Sequence, residues 1–445
     1  MADQPDQITG LRIILRALRS RNYRLFFLGQ AISLIGTWMQ TVTLAWLVYR
    51  LSNSAFLLGV IGFAGDLPAF ILMPIAGVWA DRVNRRQILI LTQTLAMIQA
   101  LILAILVLTH TVQIWHLIAL SAFLGLINGL DMPTRQAFVI EMVENKDDLP
   151  NAIALNSSIF NSARLIGPSI AGILIAALGE GFCFLINSFS FLAVIAALLA
   201  MKISDHRARA EISDTLQELK QGFAYAFGFM PIRSLLILVA LVSLMGMSYS
   251  VLMPILARDV LGGGSHTFGF LMGAGGLGAL IAGIYLASRK SVLGLGRLIP
   301  LSLALFSLAI IALSLSRNVG LSLVIMLVAG FGVMTQIASS NTLIQTIVED
   351  DKRGRIMGIY AMSFRGISPF GSLIAGTLAS RIGAQFTILI GGLFCLLGAI
   401  WFRQKLPAFR KFIRPVYQKA GIIPELASGI RSGTELTIPP KDQGT

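Results

Sequence analysis

Charged side chains are scarce in this sequence. Only 13% of the 445 residues are Asp, Glu, Lys or Arg, against about 25% in ordinary soluble domains. Hydrophobic residues make up 56% of the chain. This balance excludes a soluble globular protein and predicts an all-α integral membrane protein. Because a membrane-spanning helix needs about 20 apolar residues, the chain has room for about twelve spans.

Groups that carry enzymatic chemistry are also few. The two cysteines, Cys183 and Cys395, lie in separate apolar runs, which predicts two small core residues without a disulfide or a thiolate metal site. The four histidines show no metal-ligand spacing, and no Gly-Lys-Ser/Thr phosphate-binding motif occurs. Residues 273–278 fit G-x-G-x-x-G, but no strand precedes them, so we expect no dinucleotide site. The sequence predicts neither an enzyme nor a cofactor.

Twelve apolar runs alternate with polar loops, and we number them spans 1 to 12. They are residues 24–49, 56–80, 88–108, 116–140, 151–178, 182–201, 234–257, 267–288, 298–315, 319–345, 355–380 and 384–402. The longest polar interval lies between spans 6 and 7. It divides the chain into a cytoplasmic amphipathic N-terminus (1–22), an N-terminal half (23–201), a linker with an interfacial helix (202–233), a C-terminal half (234–402) and a loosely ordered cytoplasmic tail (403–445).

The basic residues predict how the chain is oriented. The net charge is +14, and most Lys and Arg residues fall in the termini and the even-numbered loops. The opposite side carries only Arg50, Arg258, Arg317 and Arg381. Positive loops stay cytoplasmic, so both termini are expected inside, in a multi-pass protein of a cell membrane, such as a bacterial inner membrane. The predicted partner of this charge is the lipid bilayer and no nucleic acid.

A short internal repeat supports two pseudo-symmetric halves. Span 5 carries Arg-Leu-Ile-Gly-Pro at 164–168, and span 11 carries Arg-Gly-Ile-Ser-Pro at 365–369. Each is followed by Ile-Ala-Gly, which ends at Gly172 and at Gly376, with three inserted residues in span 11. Two parallel six-helix halves around a central path are an architecture of secondary transporters.

The loop between spans 2 and 3 resembles the signature G-x-L-A-D-R-x-G-R-K of the major facilitator superfamily. The matching residues are Gly77, Ala80, Asp81, Arg82, Arg85 and Arg86. Trp79 and Asn84 depart from the pattern, and Asn84 is expected to accept the left-handed backbone of the second glycine. Segments 151–156, 167–172 and 184–190 resemble its drug:proton antiporter branch, the transmembrane secretion effector family of enterobactin-exporter-like and macrolide-efflux-like proteins.

The resemblance implies a secondary active transporter that works by alternating access, and we expect it to be a monomer. It implies export of amphipathic small molecules, such as a drug, macrolide or siderophore, in exchange for protons. The alternatives are a lipid or metabolite carrier of the same fold and a non-transporting membrane sensor. In the family, the loop residues close a cytoplasmic gate with an acid of span 4, here Asp131 with Arg135. Alternatively, Asp131 and Arg135 merely pair with each other at a solvated helix end.

Three charged residues are predicted deep in the membrane: Asp66 in span 2, Arg164 in span 5 and Arg365 in span 11. Intramembrane charges are by default functional. Asp66 is a candidate for proton coupling, for a structural ion pair with Arg365, or for substrate contact. Arg164 attracts an anionic or phenolate substrate, or it caps the carbonyls that Pro168 frees.

Polar residues and helix breakers complete the predicted site. The polar residues of otherwise apolar spans either line the substrate path or join helices by hydrogen bonds; they are Gln30, Gln40, Asn128 and Asn187. Helix breaks are expected at Gly167, Pro168 and Pro369. Four glycines at helical spacing predict close packing of span 8 against span 5; they are Gly269, Gly273, Gly276 and Gly283.

Overall fold

The computed structural model describes residues 15–202, 215–289 and 291–419, with the backbone alone at 73–82, 146, 215–220, 351 and 419. Within these ranges the chain is helical and has no strand. Every predicted span has a helical counterpart. Spans 1 to 6 are Arg21–Ser52, Ala55–Arg82, Arg85–Leu108, Ile114–Met142, Leu149–Leu178 and Glu180–Ala200. Spans 7 to 10 are Met230–Val260, Ser265–Ala287, Leu295–Leu315 and Val319–Ile347. Span 11 consists of Arg353–Ala361, Met362–Gly366 and Ser368–Ile382, and span 12 is Ala384–Lys419.

The twelve-span, all-α membrane fold is confirmed. In the described part of the chain, eleven helices are long and apolar enough to cross a membrane. Span 11 is the twelfth, and a π-helical turn at Met362–Gly366 divides it. Leu, Ile and Phe side chains are exposed along the outer faces of the bundle, where a soluble protein would place polar groups.

Matched glycines end the two equivalent spans 5 and 11. Span 5 stops at Gly179 with φ 87°, and span 11 stops at Gly383 with φ 88°. This left-handed region favours glycine, because a Cβ would clash with the backbone. Span 1 ends in the same region at Asn53, with φ 47°. The turns on this side of the bundle are therefore fixed by local sequence.

Glycine crossings join the two halves with the same geometry twice. A Cβ on Gly269 of span 8 would lie 2.4 Å from the carbonyl oxygen of Pro168 in span 5, and one on Gly59 of span 2 would lie 2.6 Å from that of Ser372 in span 11. Gly269 faces Gly172, and Gly59 faces Gly376. The two Ile-Ala-Gly segments of the repeat therefore hold equivalent positions, which confirms the pseudo-symmetry of the halves.

The halves touch on one side of the bundle and separate on the other. We define the terminus side as the side where span 1 begins and span 12 ends. On the opposite side, the Trp46 ring stacks on Phe268 with 6.1 Å between centroids, and the Tyr49 hydroxyl donates to Asp259. On the terminus side, the N-terminal half packs a core cluster of its own that includes no described residue of the C-terminal half. A cavity between the halves therefore opens toward the terminus side.

The predicted start of the tail at residue 403 is wrong, because span 12 continues as one helix to Lys419. Pro407 and Pro415 lie inside this helix on its exposed face. The carbonyls that lose hydrogen bonds to them therefore remain accessible to solvent. Buried apolar side chains hold the extension against the bundle; they are Phe402, Phe409, Ile413 and Tyr417.

The N-terminus and the linker partly match their predictions. Residues 1–14 and 203–214 lie outside the described residues. Arg16–Arg19 forms a 3-10 turn, and Arg16 pairs with Asp148 at 3.0 Å, so this part docks on span 5. The predicted linker helix is present at Thr215–Gly228. Span 7 begins at Met230, a few residues before its predicted start.

Candidate functional site

One wall of the cavity, formed by spans 2, 4 and 11, carries Asp66 and Arg365. Both side chains are exposed although they lie in the middle of their spans, so the cavity reaches them. The Ser368 hydroxyl donates to the Asp66 carboxylate at 3.2 Å. Arg365 Nη1 lies 2.8 Å from the Met132 sulfur of span 4, which joins the two halves at this depth.

The expected ion pair between Asp66 and Arg365 is not formed in this conformation. The salt bridges between described residues, which extend to 4.0 Å, do not include it, although each group lies within Coulombic range of the other. Arg365 points instead toward Met132, near Arg135.

Arg164 lies on a second, aromatic wall formed by spans 1, 5 and 7. Its guanidinium carbon is 5.8 Å from the centroid of the Trp38 ring, a cation–π arrangement. Phe160 meets Trp38 edge-on with 5.6 Å between centroids, and Tyr249 of span 7 lies within Coulombic range. Among the described side-chain hydrogen bonds, none runs from Arg164 to a backbone carbonyl. The described contacts therefore do not show the capping alternative for Arg164, whose guanidinium lies over the Trp38 ring instead.

The pseudo-symmetry also shows which residues are equivalent. Counting from Gly172 and Gly376, the position that matches Arg164 is Ser368, and not Arg365, because of the inserted residues in span 11. The position that matches Asp66 in span 8 is Gly276, whose added Cβ would lie 2.7 Å from the Arg164 carbonyl oxygen. At the crossing of spans 2 and 11, Asp66 therefore meets Ser368. At the crossing of spans 5 and 8, Gly276 meets Arg164. The two walls differ in charge on the same backbone frame.

Asp131 is buried about three turns inside span 4, with 3% of its side chain exposed. It pairs with Arg135 at 2.6 Å and accepts hydrogen bonds from Thr92 at 2.9 Å and Gln93 at 2.7 Å. The pair predicted by helical spacing is therefore present, but the solvated helix end is wrong. Span 10 has Gln336 and Ser340 at the matching positions, joined by a 3.2 Å hydrogen bond, so the C-terminal half lacks this charged pair.

Four of the six residues that match the signature lie outside the described side chains, namely Gly77, Ala80, Asp81 and Arg82. Arg85 pairs with Glu141 of span 4 at 2.7 Å. Arg86 donates to the Leu198 and Leu199 carbonyls at 2.7 and 2.9 Å, and it thereby caps the end of span 6.

Asn84 is the N-cap of span 3. It has φ −60° and ψ 111°, and its side chain accepts from the Gln87 N–H. The left-handed conformation expected for Asn84 is therefore wrong, because a capping residue needs extended backbone.

Two of the four predicted path residues are structural. Asn187 donates to Gln40 at 2.7 Å, Gln40 donates to Gln99 at 2.9 Å, and all three are buried. This network joins spans 1, 3 and 6, so Gln40 and Asn187 do not line the cavity here. Gln30 is also buried. Asn128 is exposed and lies one turn from Met132 on the same face of span 4, which is the cavity face.

The predicted helix breaks differ between the halves. Span 5 continues through Gly167 and Pro168 without interruption, so a break there is wrong. Gly167 instead allows close approach of span 1, because a Cβ on it would lie 2.6 Å from the Trp38 Cβ. In span 11, Pro369 follows the π-helical turn and starts the next helix. The predicted span 8 packing holds for Gly269, Gly273 and Gly276 but not for Gly283, which has no neighbour within 4 Å.

Sequence reasoning missed the polar contacts on the opposite side. Asp259 lies in a π-helical turn of span 7 and accepts a hydrogen bond from Tyr49 of span 1. Arg258 donates to the Asn53 side chain at 2.9 Å and lies 5.8 Å from the Tyr49 ring centroid. We call these four residues the outer latch. The signal in the sequence was an acid and a base at the end of an otherwise apolar span.

Comparison with known proteins places this geometry in context. Residues 14–418 match the family described as transmembrane secretion effector. The chain is 27% identical to the staphyloferrin A transporter of Staphylococcus aureus (strain NCTC 8325 / PS 47), over 85% of this chain and 95% of that protein. It is 24% identical to the multidrug efflux pump Tap of Mycolicibacterium fortuitum, over 82% and 91%. A solved bacterial homologue of the human lysosomal transporter Spinster, inward-facing and unoccupied, has TM-score 0.67 at 15% identity, over 89% and 98%. That structure has the same fold.

Proposed function

Because the chain belongs to the transmembrane secretion effector family of major facilitator superfamily transporters, we propose that it exports amphipathic small molecules in exchange for protons. The observation that carries this proposal is the position of Asp66, an exposed carboxylate at mid-span beside an interhalf contact. A transporter that couples a proton needs such a group, reachable from the cavity and sensitive to the movement of the halves.

We assign proton binding to the cavity wall that carries Asp66 and substrate binding to the wall that carries Arg164. Asp66 binds the coupling proton, and Arg365 changes its distance from Asp66 as spans 2 and 11 move. A nearby guanidinium favours an ionised carboxyl group, and its departure into an apolar surround favours the protonated one. The conformational cycle therefore loads and releases the proton at Asp66.

Arg164 and the Trp38 and Phe160 rings form the substrate wall. An aromatic surface beside an available cation suits an amphipathic molecule with an anionic or phenolate group. Two of the relatives, a staphyloferrin A transporter and a multidrug efflux pump, support a substrate of this kind. The same cavity would serve drug, macrolide or siderophore export.

The arrangement of the contacts supports an alternating-access mechanism. We take the terminus side as cytoplasmic, because most Lys and Arg residues lie there, so the present conformation is inward-facing. Opening to the other side requires the outer latch and both glycine crossings to separate. Closing the terminus side is the role we assign to the loop between spans 2 and 3 and to the Asp131–Arg135 pair.

Energised transport tests the proposal. Inverted membrane vesicles are supplied with a panel of dyes, macrolides, catecholate siderophores and staphyloferrin A, with and without a protonophore. Export is expected for at least one compound, to collapse with the protonophore, and to be lost in Asp66→Asn. The matched control is Asp350→Asn, which removes a carboxylate that is 88% exposed outside the spans, and it should transport normally.

Two results would contradict parts of this function. If protonophore-sensitive export survives in Asp66→Asn, the proton uses another group. If no compound moves while the purified protein binds a lipid or metabolite, the chain is a carrier of a different substrate class.

A further inference from the structure

A second cavity lies outside the substrate path, on the terminus side of the C-terminal half. It has a volume of about 480 Å³ and lies between the start of span 9, the end of span 10 and the extension of span 12. Three arginines line it: Arg297, Arg410 and Arg414. The proposed transport cycle uses none of them.

The cavity is cationic without a compensating acid. Its lining includes no Asp or Glu. The three arginines are exposed, and among the described residues none of them has a side-chain hydrogen bond or a salt bridge. A fourth arginine, Arg289, donates to the Leu293 carbonyl at 2.8 Å in the cavity wall. Span 9 also begins here, after Gly294, and the positive end of its dipole adds to the potential. Three unpaired guanidinium groups around one cavity are well suited to bind a phosphate group.

The rest of the lining is apolar and aromatic. Phe409, Ile413 and Tyr417 are 2%, 4% and 8% exposed and form the wall that the span 12 extension contributes. Leu343 lies four residues before the end of span 10. A free inorganic anion gains nothing from such a wall, whereas a lipid places its headgroup on the arginines and its glycerol and first methylenes on the apolar side chains.

The position of the cavity relative to the membrane also favours a lipid. The cavity lies where spans 9 and 10 reach the terminus side, so it is at the boundary between the hydrocarbon and the headgroups. The span 12 extension is also basic on its outer surface, with no acidic residue between Ala384 and Lys419. We propose that this cavity binds the headgroup of an anionic phospholipid, which fastens the span 12 extension to spans 9 and 10.

Native mass spectrometry of the full-length protein in detergent tests the site. The probes are dilauroyl phosphatidylglycerol, dilauroyl phosphatidylcholine at the same concentration, and inorganic phosphate as competitor. The wild type is expected to retain phosphatidylglycerol in preference to phosphatidylcholine. The variant Arg297→Gln/Arg410→Gln/Arg414→Gln is expected to lose this preference, with affinity lower by about tenfold or more.

The matched control removes three charges from span 12 outside the cavity lining: Arg403→Gln/Lys405→Gln/Lys411→Gln. It should keep phosphatidylglycerol affinity within about twofold of wild type. All three arginines are exposed, so the cavity variant should melt at the wild-type temperature, which confirms that it is folded.

Three outcomes would overturn the proposal. Equal loss in both triple variants means that general positive charge, and not the cavity, attracts the lipid. Equal retention of both lipids by the wild type means that the arginines do not distinguish an anionic headgroup from a zwitterionic one. Complete displacement of phosphatidylglycerol by millimolar inorganic phosphate means that the cavity takes a free anion, with no contribution from the acyl chains.

Discussion

Gly269→Ala is expected to shift the protein away from its terminus-side-open conformation. Gly269 lies at the crossing of spans 5 and 8, which joins the halves on the side opposite the termini. The added Cβ would lie 2.4 Å from the Pro168 carbonyl oxygen and 2.8 Å from the Gly172 Cα. Both are backbone atoms in helices, so neither can rotate away. Relief requires the two spans to separate, which is the movement that opens the opposite side.

The size of the shift follows from the cost of overpacking. Inserting a methyl group into a packed interface costs about 1–3 kcal/mol. If that cost applies only while the crossing is closed, the ratio of the two conformations changes by about 5- to 150-fold. The matched control is Gly283→Ala in the same span, where an added Cβ has no neighbour within 4 Å.

Pulsed electron paramagnetic resonance can measure the change. Spin labels at Glu144→Cys and Glu349→Cys occupy exposed positions that follow spans 4 and 10 on the terminus side, while the native Cys183 and Cys395 are buried and should stay unlabelled. In Gly269→Ala the interlabel distance should shorten as the terminus side closes, and in Gly283→Ala it should match wild type. An unchanged distance in Gly269→Ala would refute the inference that this crossing opens during the cycle.

Three further variants test the other contacts. Tyr49→Phe removes the outer-latch hydrogen bond to Asp259 and should change the ratio of the two conformations by about tenfold, measured by the same spin-label distances. Tyr360→Phe, which loses a bond within one half, should leave this ratio unchanged. Asp131→Asn leaves Arg135 without its partner and should lower the free energy of unfolding by about 3 kcal/mol, measured by steric trapping; Glu141→Gln, in a more exposed pair, should cost about 1 kcal/mol or less. Arg164→Gln should weaken binding of an anionic substrate by about tenfold or more and of a neutral one little, measured by tryptophan fluorescence; equal loss for both would contradict a charge contact.

Parts of the candidate site were readable from the sequence because they depend on neighbours along one helix. The Asp131–Arg135 pair follows from helical spacing, and three of the four span 8 glycines pack as their spacing predicts. The span 12 extension was misread because its prolines suggested an irregular tail. Its buried side chains nevertheless recur at helical spacing from Phe402 to Tyr417, which was the better signal.

Contacts between spans were not readable in this way. The network of Gln40, Gln99 and Asn187 joins three helices, and the Trp38 ring reaches Arg164 from another span. Spans that are apolar on every side do not show which face turns inward. The partners of each polar residue therefore depend on helix rotation and crossing, which short-range patterns do not fix.

The sequence by itself determined the number of spans, their positions and the division into two halves, because hydropathy and turn residues act locally along the chain. It also determined that Gly172 and Gly376 are equivalent, since both belong to one repeated segment. Only the tertiary structure decided that Asp66 meets Ser368 while Arg365 turns to Met132. Those contacts are made between the two halves, so the way in which the halves meet sets which charged groups are paired.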